Sequence, residues 1–473
     1  MNKADFIRPI RFADMLNPKN PNILPTDSLP PTASNFLDQL RKGQTSVVEY
    51  AARCAQRIAE REPSLHAFAW YDPSRMLQAA LNADERLAAH RKTTDNPSAL
   101  DGLITGVPIG VKDVFNTNDM PTQHGSAAFA DFTPGNDARV VFDIHFQGGI
   151  VAGKTATAEF AVHHPTGTVN PLDPNRSCGT SSAGSAVAVA TGMVPIALTT
   201  QTGGSTIRPA SYVGVHGFKP SFGLLPRTGM LKSSDTLDSI GFVARSVADL
   251  GLFLDVTRIS GPNYPYVDAA FSDTTRTQRP SRPWRVGILD GPRSAEESQA
   301  ASTGVRRVAD RLSNAGMHVE RFVLPPEFNQ AHDLHNTIYT KSVAYNYRME
   351  WARAANSFSP ILAAMMKSGA EIPVADYQNA LQQQTNLAAL YDTALLSVDV
   401  LICPSTADEA PVGIDATDTP DHCLIFTMSY APVLGLPLLR GSTGLPLGLQ
   451  VAGRRYNDLQ LLKFAEDVEE IFS

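Results

Sequence analysis

Ser205 lies in QTGGSTIRPAS, residues 201–211, a single hydroxyl between a Gly-Gly pair and a chain that must turn again by Pro209. Gly203 and Gly204 allow backbone conformations and a close approach that side chains would block, so consecutive N–H groups can converge beside that hydroxyl. Such a group of donors would stabilise the oxygen of a tetrahedral intermediate. Ser205 is therefore a candidate nucleophile, with a plain tight turn as the alternative. No neighbour in the sequence could take its proton, so a base has to come from elsewhere.

Two other segments carry suitable groups. In SCGTSSAGSAVAVATG, residues 177–192, Ser181 and Ser182 precede small residues that predict a helix ending at Gly192. One of these serines could simply be its N-cap. The small side chains also permit close packing against neighbouring backbone, which suits a serine held at a crowded site. In GVPIGVKDVF, residues 106–115, Lys112 stands among Val107, Ile109, Val111, Val114 and Phe115. A lysine is ordinarily a solvated surface group, but this apolar context predicts the end of a buried strand or turn. A free lysine has a pKa of about 10.4, and neutrality at pH 7 then costs roughly 4 to 5 kcal/mol. Desolvation can lower such a pKa by about 3 units or more, and the neutral amine becomes a general base that needs no histidine.

In this order the three segments resemble the amidase signature family of serine hydrolases, which use a Ser-cisSer-Lys triad. The likeness extends from about Thr32 to the C-terminus, through GFKPSFG, DVLICPST and GLPLGLQVAG. The separations of 24 residues from Ser181 to Ser205 and 69 from Lys112 to Ser181 also fit the family. The resemblance implies Ser205 as nucleophile, Ser181 as a bridging serine entered by a cis Thr180–Ser181 peptide bond, and Lys112 as base. It implies an oxyanion hole from the N–H groups of Thr202, Gly203, Gly204 and Ser205. The implied fold is α/β, a large mixed central sheet covered by helices on both faces. The implied reaction is hydrolysis of a carboxamide, or of a carbamate or urea-type C–N bond, through an acyl-enzyme on Ser205.

The chain also departs from the common family pattern. GTSSAG puts Thr180 and Ala183 where glycines commonly lie, Gln201 replaces the acid common before T-G-G-S, and Arg208 follows Ser205 by three residues instead of two. Arg208 is a candidate for a structural ion pair or for contact with a substrate carboxylate. Thr180, His124 and His163 are further candidates for substrate contact, with a polar wall as the alternative for both histidines and for His164. Cys54, Cys178, Cys403 and Cys423 are scattered, which predicts buried free thiols; Cys178 is notable for standing three residues before Ser181. No third ligand has metal spacing beside the histidines, and neither metal nor cofactor is expected.

The elements that must position these residues show in the apolar patterning. GGIVAGKT, MVPIALTT, DVLICPST, WRVGILD and GLPLGLQVAG predict strands, whereas TSVVEYAARCAQRIAERE, DARVVFDIHFQ and NDLQLLKFAEDVEEIF predict helices. Their alternation predicts an α/β layered fold. Residues 1–31, with six prolines, predict an extended arm that lies on the surface or covers a second copy in a homodimer. Residues 32–473 predict one domain with a peripheral lobe near 285–395, and the polar, turn-rich stretch from 261 to 283 is a possible linker within it.

Composition narrows the function classes. A 43% apolar share in 473 residues allows a large core. The net charge of −7 is well mixed, with no basic run to follow a phosphate backbone, so nucleic acid is not an expected partner. No apolar run reaches the roughly 18 to 20 residues of a membrane span, and the first thirty residues lack a signal-peptide stretch, which predicts a cytoplasmic protein; the small-molecule amide or carbamate substrate is what the family resemblance implies. Two further readings stand beside the amidohydrolase. One is the glutaminase component of a multisubunit amidotransferase. The other is a binding protein that retains the fold without chemistry, whose mark would be loss of the lysine or a serine.

Overall fold

Strands β1 (Phe68–Tyr71), β2 (Pro108–Lys112), β3 (Ile150–Thr155), β4 (Ile196–Gln201), β5 (His216–Lys219) and β6 (Ser239–Ala244) form one half of a mixed sheet. The other half is β7 (Arg285–Asp290), β8 (His318–Val323), β9 (Val400–Pro404), β10 (Val433–Leu436) and β11 (Leu449–Ala452). The computed structural model describes residues 28–163, 165–414, 416 and 419–473. Among these, the eleven strands run in the order β1-β3-β2-β4-β6-β5-β10-β11-β9-β7-β8. All five strand segments predicted from patterning lie in this sheet. The Pro-rich arm falls outside the described residues up to 27; its end is tied down where the Tyr50 hydroxyl donates to Pro31 O at 2.7 Å.

β2 pairs in parallel with both β3 and β4, so the carboxyl ends of three adjacent strands open on the same edge. Ligands of open α/β sheets bind outside such ends. Every residue of β2, β3, β4 and β6 is buried, and since successive side chains point to opposite faces, both faces here are covered. The helices Ala183–Ala190 and Val247–Thr257 contribute Val187, Val189, Leu250 and Phe253 to the main core. A second core gathers Phe328, Ile338, Tyr391 and Phe426 around β9 and β10.

The three predicted helices form as Val47–Leu65, Arg139–Phe146 and Asp458–Phe472. Ser46 caps the first of these, its hydroxyl accepting from Glu49 N while the Glu49 carboxylate accepts from Ser46 N, a reciprocal pairing that defines a start. The stretch from 261 to 283 is not uniformly turns. Two short helices, Pro265–Ser272 and Thr274–Thr277, form because Pro265 presets the first turn and the Asp273 carboxylate accepts from Thr275 N. Beyond it β7 and β8 extend the common sheet edge, and the helices Ala331–Asn346, Pro360–Glu371 and Val374–Ala394 follow. Among the described residues no helix is long and apolar enough to cross a membrane.

Candidate active site

Lys112 is the last residue of β2 and is fully buried. Its side-chain nitrogen lies 2.7 Å from Ser181 Oγ, 3.0 Å from Ser182 Oγ and 2.7 Å from Thr200 Oγ1. The partners come from two places: Thr200 from the parallel neighbour β4, and the serines from the turn leading into the helix Ala183–Ala190. Burial holds the lysine pKa well below its ordinary value, opposed only in part by the charge of Asp238. Among the described residues Lys112 has no ion-pair partner, so three neutral hydroxyls replace water around it.

Ser182 stands at the N-cap position without capping the helix; its hydroxyl points to Lys112 and to Thr200 O instead. The Thr180–Ser181 peptide bond is cis, as the resemblance implied. Close packing of the small residues is equally evident: a Cβ on Gly184 would lie 2.5 Å from both Ala156 N and Ala67 O. Only glycine fits there, and the serine turn is thereby seated on the ends of β1 and β3.

Ser205 follows β4 on a short loop and precedes the helix Ile207–Val213; it is 7% exposed. Among the described residues none accepts a hydrogen bond from the backbone N–H of Gly203, Gly204 or Ser205. The same holds for the N–H of Thr202, so the four adjacent donors that the resemblance implied are left for an acceptor beside the serine. The loop is held by groups from well outside the signature segments. The Thr202 hydroxyl donates to Asp238 at 2.8 Å, and Asp238 also accepts from Ser233 N and Ser234 N at 2.7 and 2.9 Å. Gln201 caps the following helix, its Oε1 accepting from Thr206 N at 3.0 Å and Ile207 N at 3.2 Å. A carboxylate is not needed for that role.

Thr180, His163 and Arg208 all line a cavity of about 650 Å³, with Cys178, Gly179, Ile361 and Ile414 among its other walls. His163 Nδ1 is 3.4 Å from Thr180 Oγ1. Arg208 Nε donates to Asp421 at 2.8 Å, and both side chains are buried, so the ion pair is present at the cavity wall. The Cys178 thiol donates to Thr168 O, and burial pushes its pKa up to about 12, which leaves it inert as a thiolate. All four cysteines are free and buried, as expected.

His124 is placed differently from the other candidates. It packs against Phe129, Phe132 and Phe160 with a centroid distance of 5.1 Å to Phe129, and it is absent from the walls of the cavity. Burial, reinforced by the charge of Lys154, lowers its pKa to about 4. His164 lies outside the described residues. His335, Thr427 and Asp238 border the loop but were not singled out from sequence. They are distant in the chain, and His335 belongs to the helix Ala331–Asn346, whose pattern carries no chemical motif.

With this geometry in view, the chain belongs to the Amidase family, whose sequence model matches residues 49–462. It is similar to one of the subunits of glutamyl-tRNA(Gln) amidotransferase from Chloroflexus aurantiacus, with 31% identity over 91% of this chain and 94% of that protein. It is also 28% identical to AmiD of Mycobacterium tuberculosis, whose name assigns it provisionally to the amidases, over 92% of each chain. Among solved structures, one described as an amidase matches with a TM-score of 0.81 at 25% identity, covering 93% of this chain and 99% of that one. The native peptide amidase of Stenotrophomonas maltophilia matches in fold with a TM-score of 0.79 at 24% identity, covering 94% and 98%. The protein is thus an amidase-signature hydrolase of amide C–N bonds.

Proposed function

We propose that the protein hydrolyses a neutral carboxamide, or a related carbamate or urea-type bond, by a serine acyl-enzyme mechanism with Ser205 as nucleophile, Ser181 as relay and Lys112 as base. The observation that carries this reading is the fully buried Lys112 within 2.7 Å of Ser181 Oγ. A neutral amine has two N–H donors and one lone pair, which accounts for three hydroxyl neighbours: it donates to Ser182 and Thr200 and accepts from Ser181. Ser181 is then able to accept from Ser205. As Ser205 Oγ bonds to the acyl carbon, its proton moves to Ser181 and that of Ser181 moves to Lys112. The developing oxyanion takes N–H groups from the run Thr202, Gly203, Gly204 and Ser205.

Collapse of the intermediate breaks the C–N bond, and Lys112 returns the proton through Ser181 to the leaving nitrogen. An amine leaves poorly unless protonated, so this return is the step that amide cleavage demands. Water activated along the same chain then releases the acid from Ser205. The cavity walled by Thr180, Arg208 and Ile361 is the place for a substituent of the substrate, and among its described lining residues the charge of Arg208 is paired with Asp421. Uncharged aliphatic or aryl groups suit such a wall.

A second reading, a glutaminase that supplies ammonia to partner subunits, is favoured by the name of the 31%-identical relative, which makes that protein one component of an amidotransferase. A panel of aliphatic, aryl, peptide-terminal, carbamate and urea-derived amides, run on the purified chain with a Ser205→Ala control, separates the two. Turnover by the chain alone supports the amidohydrolase. Glutaminase activity that appears only with partner subunits overturns it in favour of the second reading.

A further inference from the structure

The loop that precedes Ser205 is gripped from behind by two side chains. His335 Nε2 lies 2.8 Å from Thr202 O, and Thr427 Oγ1 donates to Gly203 O at 2.8 Å. In a trans peptide unit the carbonyl and the following N–H point in opposite directions. A donor fixed on Thr202 O therefore sets the direction of Gly203 N–H, and one fixed on Gly203 O sets that of Gly204 N–H. The third unit is set by the helix, since Arg208 N donates to Gly204 O at 2.9 Å. Two consecutive glycines have no Cβ to restrict such a loop, so its orientation has to be imposed from outside.

The hydrogen positions follow from the partners. A carbonyl only accepts, so the Nε2 of His335 carries a proton. Burial lowers the pKa of His335 to about 4, but protonation would leave that donor in place. Gln201 fixes the Thr427 hydroxyl. Its Oε1 faces the N–H groups of Thr206 and Ile207, which leaves Nε2 to donate to Thr427 Oγ1 at 3.2 Å. Thr427 accepts there and turns its own proton to Gly203 O, which at 2.8 Å is closer than Cys423 O at 3.3 Å.

We propose that His335 and Thr427, the latter ordered by Gln201, are positioning residues that aim and polarise the N–H groups of Gly203 and Gly204 toward the acyl oxygen. A peptide unit whose carbonyl accepts a hydrogen bond becomes a stronger donor at its N–H. The inference rests on the assignment of Ser205 as nucleophile. It explains why two parts of the chain far from the signature segments, the helices Ala331–Asn346 and Cys423–Met428, meet at this loop.

Four variants test it. Thr427→Val keeps the shape and removes the donor, whereas Thr427→Ser keeps the hydroxyl; His335→Ala removes the other donor, and His335→Gln restores an N–H near the site of Nε2. For the best amide of the substrate panel, kcat should fall roughly 10-fold or more in Thr427→Val and in His335→Ala, with KM nearly unchanged. The aldehyde of the same acyl group, which forms a tetrahedral adduct with a serine, should lose affinity in parallel, while the corresponding alcohol should not. Thr427→Ser and His335→Gln should recover most of both losses. Wild-type kcat and aldehyde affinity in Thr427→Val and His335→Ala would overturn the proposal, as would equal losses in the donor-keeping and donor-lacking variants, which would assign the effect to packing. Turnover in Ser205→Ala is a separate outcome that removes the nucleophile assignment itself.

Discussion

Lys112 Nζ lies 2.7 Å from Ser181 Oγ, with the lysine fully buried and the serine 1% exposed. As the proposed base the amine must be neutral, and burial lowers the pH at which it becomes so. The active window should accordingly extend far below the ordinary lysine range. kcat/KM should fall as pH drops through the lowered pKa, in a one-proton acid limb measurable from a pH profile. Lys112→Arg should remove turnover as thoroughly as Lys112→Ala, because a guanidinium stays protonated. Far-UV circular dichroism and a retained denaturant transition would show that the fold persists; full activity in either variant would sink the mechanism.

Loss of Ser205 and loss of Ser181 should differ in degree. Ser205→Ala removes the proposed nucleophile and should lower kcat by roughly 10⁴-fold or more. Ser181→Ala removes the proposed relay, for which a water can partly substitute, and general acid–base assistance is worth about 10² to 10⁴-fold. Burst kinetics with an activated ester should show an acyl-enzyme in Ser181→Ala and none in Ser205→Ala. The reverse order of the two losses would exchange the assigned roles.

Legibility in the sequence tracked the range of the interaction. Strands β2, β3 and β4 announce themselves as short apolar runs between turns, and Lys112 is legible as a lysine in a strongly apolar segment. The T-G-G-S loop and the small-residue helix carry local rules, so their serines could be named. His335, Thr427 and Asp238 obey no such rule: His335 bonds a carbonyl 133 residues away and Thr427 one 224 residues away. Their side chains fit ordinary helical or loop positions, and only the folded sheet shows what they face. His124 illustrates the converse, since a histidine that reads as a candidate for substrate contact or a polar wall has three phenylalanines as neighbours. Gln201 was legible as a departure from the common acid, but its role as an amide that both accepts from the helix and donates to Thr427 required the structure.

A titration remote from the triad should show in stability. Burial, with the charges of Asp290 and Glu296 adding to it, raises the pKa of Glu297 to about 7, and Oε1 has no hydrogen-bond partner among the described residues. His422, whose Nδ1 is 3.6 Å away, has its own pKa lowered to about 4 by burial and offers no positive charge at neutral pH. A carboxyl whose folded pKa lies above the unfolded value of about 4.3 contributes stability below that value and loses it as pH rises through about 7. Glu297→Gln should therefore be more stable than the parent at pH 8, by about 1 to 2 kcal/mol. That advantage should shrink toward pH 4, as read from urea midpoints at the two pH values. A pH-independent difference would show that Glu297 does not titrate in this window.

The buried pair of Arg208 and Asp421 makes the last prediction. Arg208 is 7% and Asp421 5% exposed, and Asp421 also accepts from Cys423 N at 3.0 Å at the start of the helix Cys423–Met428. Removing one partner of such a pair takes the counter-charge from a buried ion, at a cost of about 3 to 5 kcal/mol. Asp421→Ala should lose that much in urea denaturation with an unchanged m-value. Asp421→Asn, which keeps an oxygen for Cys423 N, should lose less. Replacing both partners, as Arg208→Met with Asp421→Leu, should recover much of the loss, because an apolar pair of similar volume removes both charges of the pair together. If the double variant were as unstable as the sum of its singles, charge burial would not explain the effect, and shape at the cavity wall would have to.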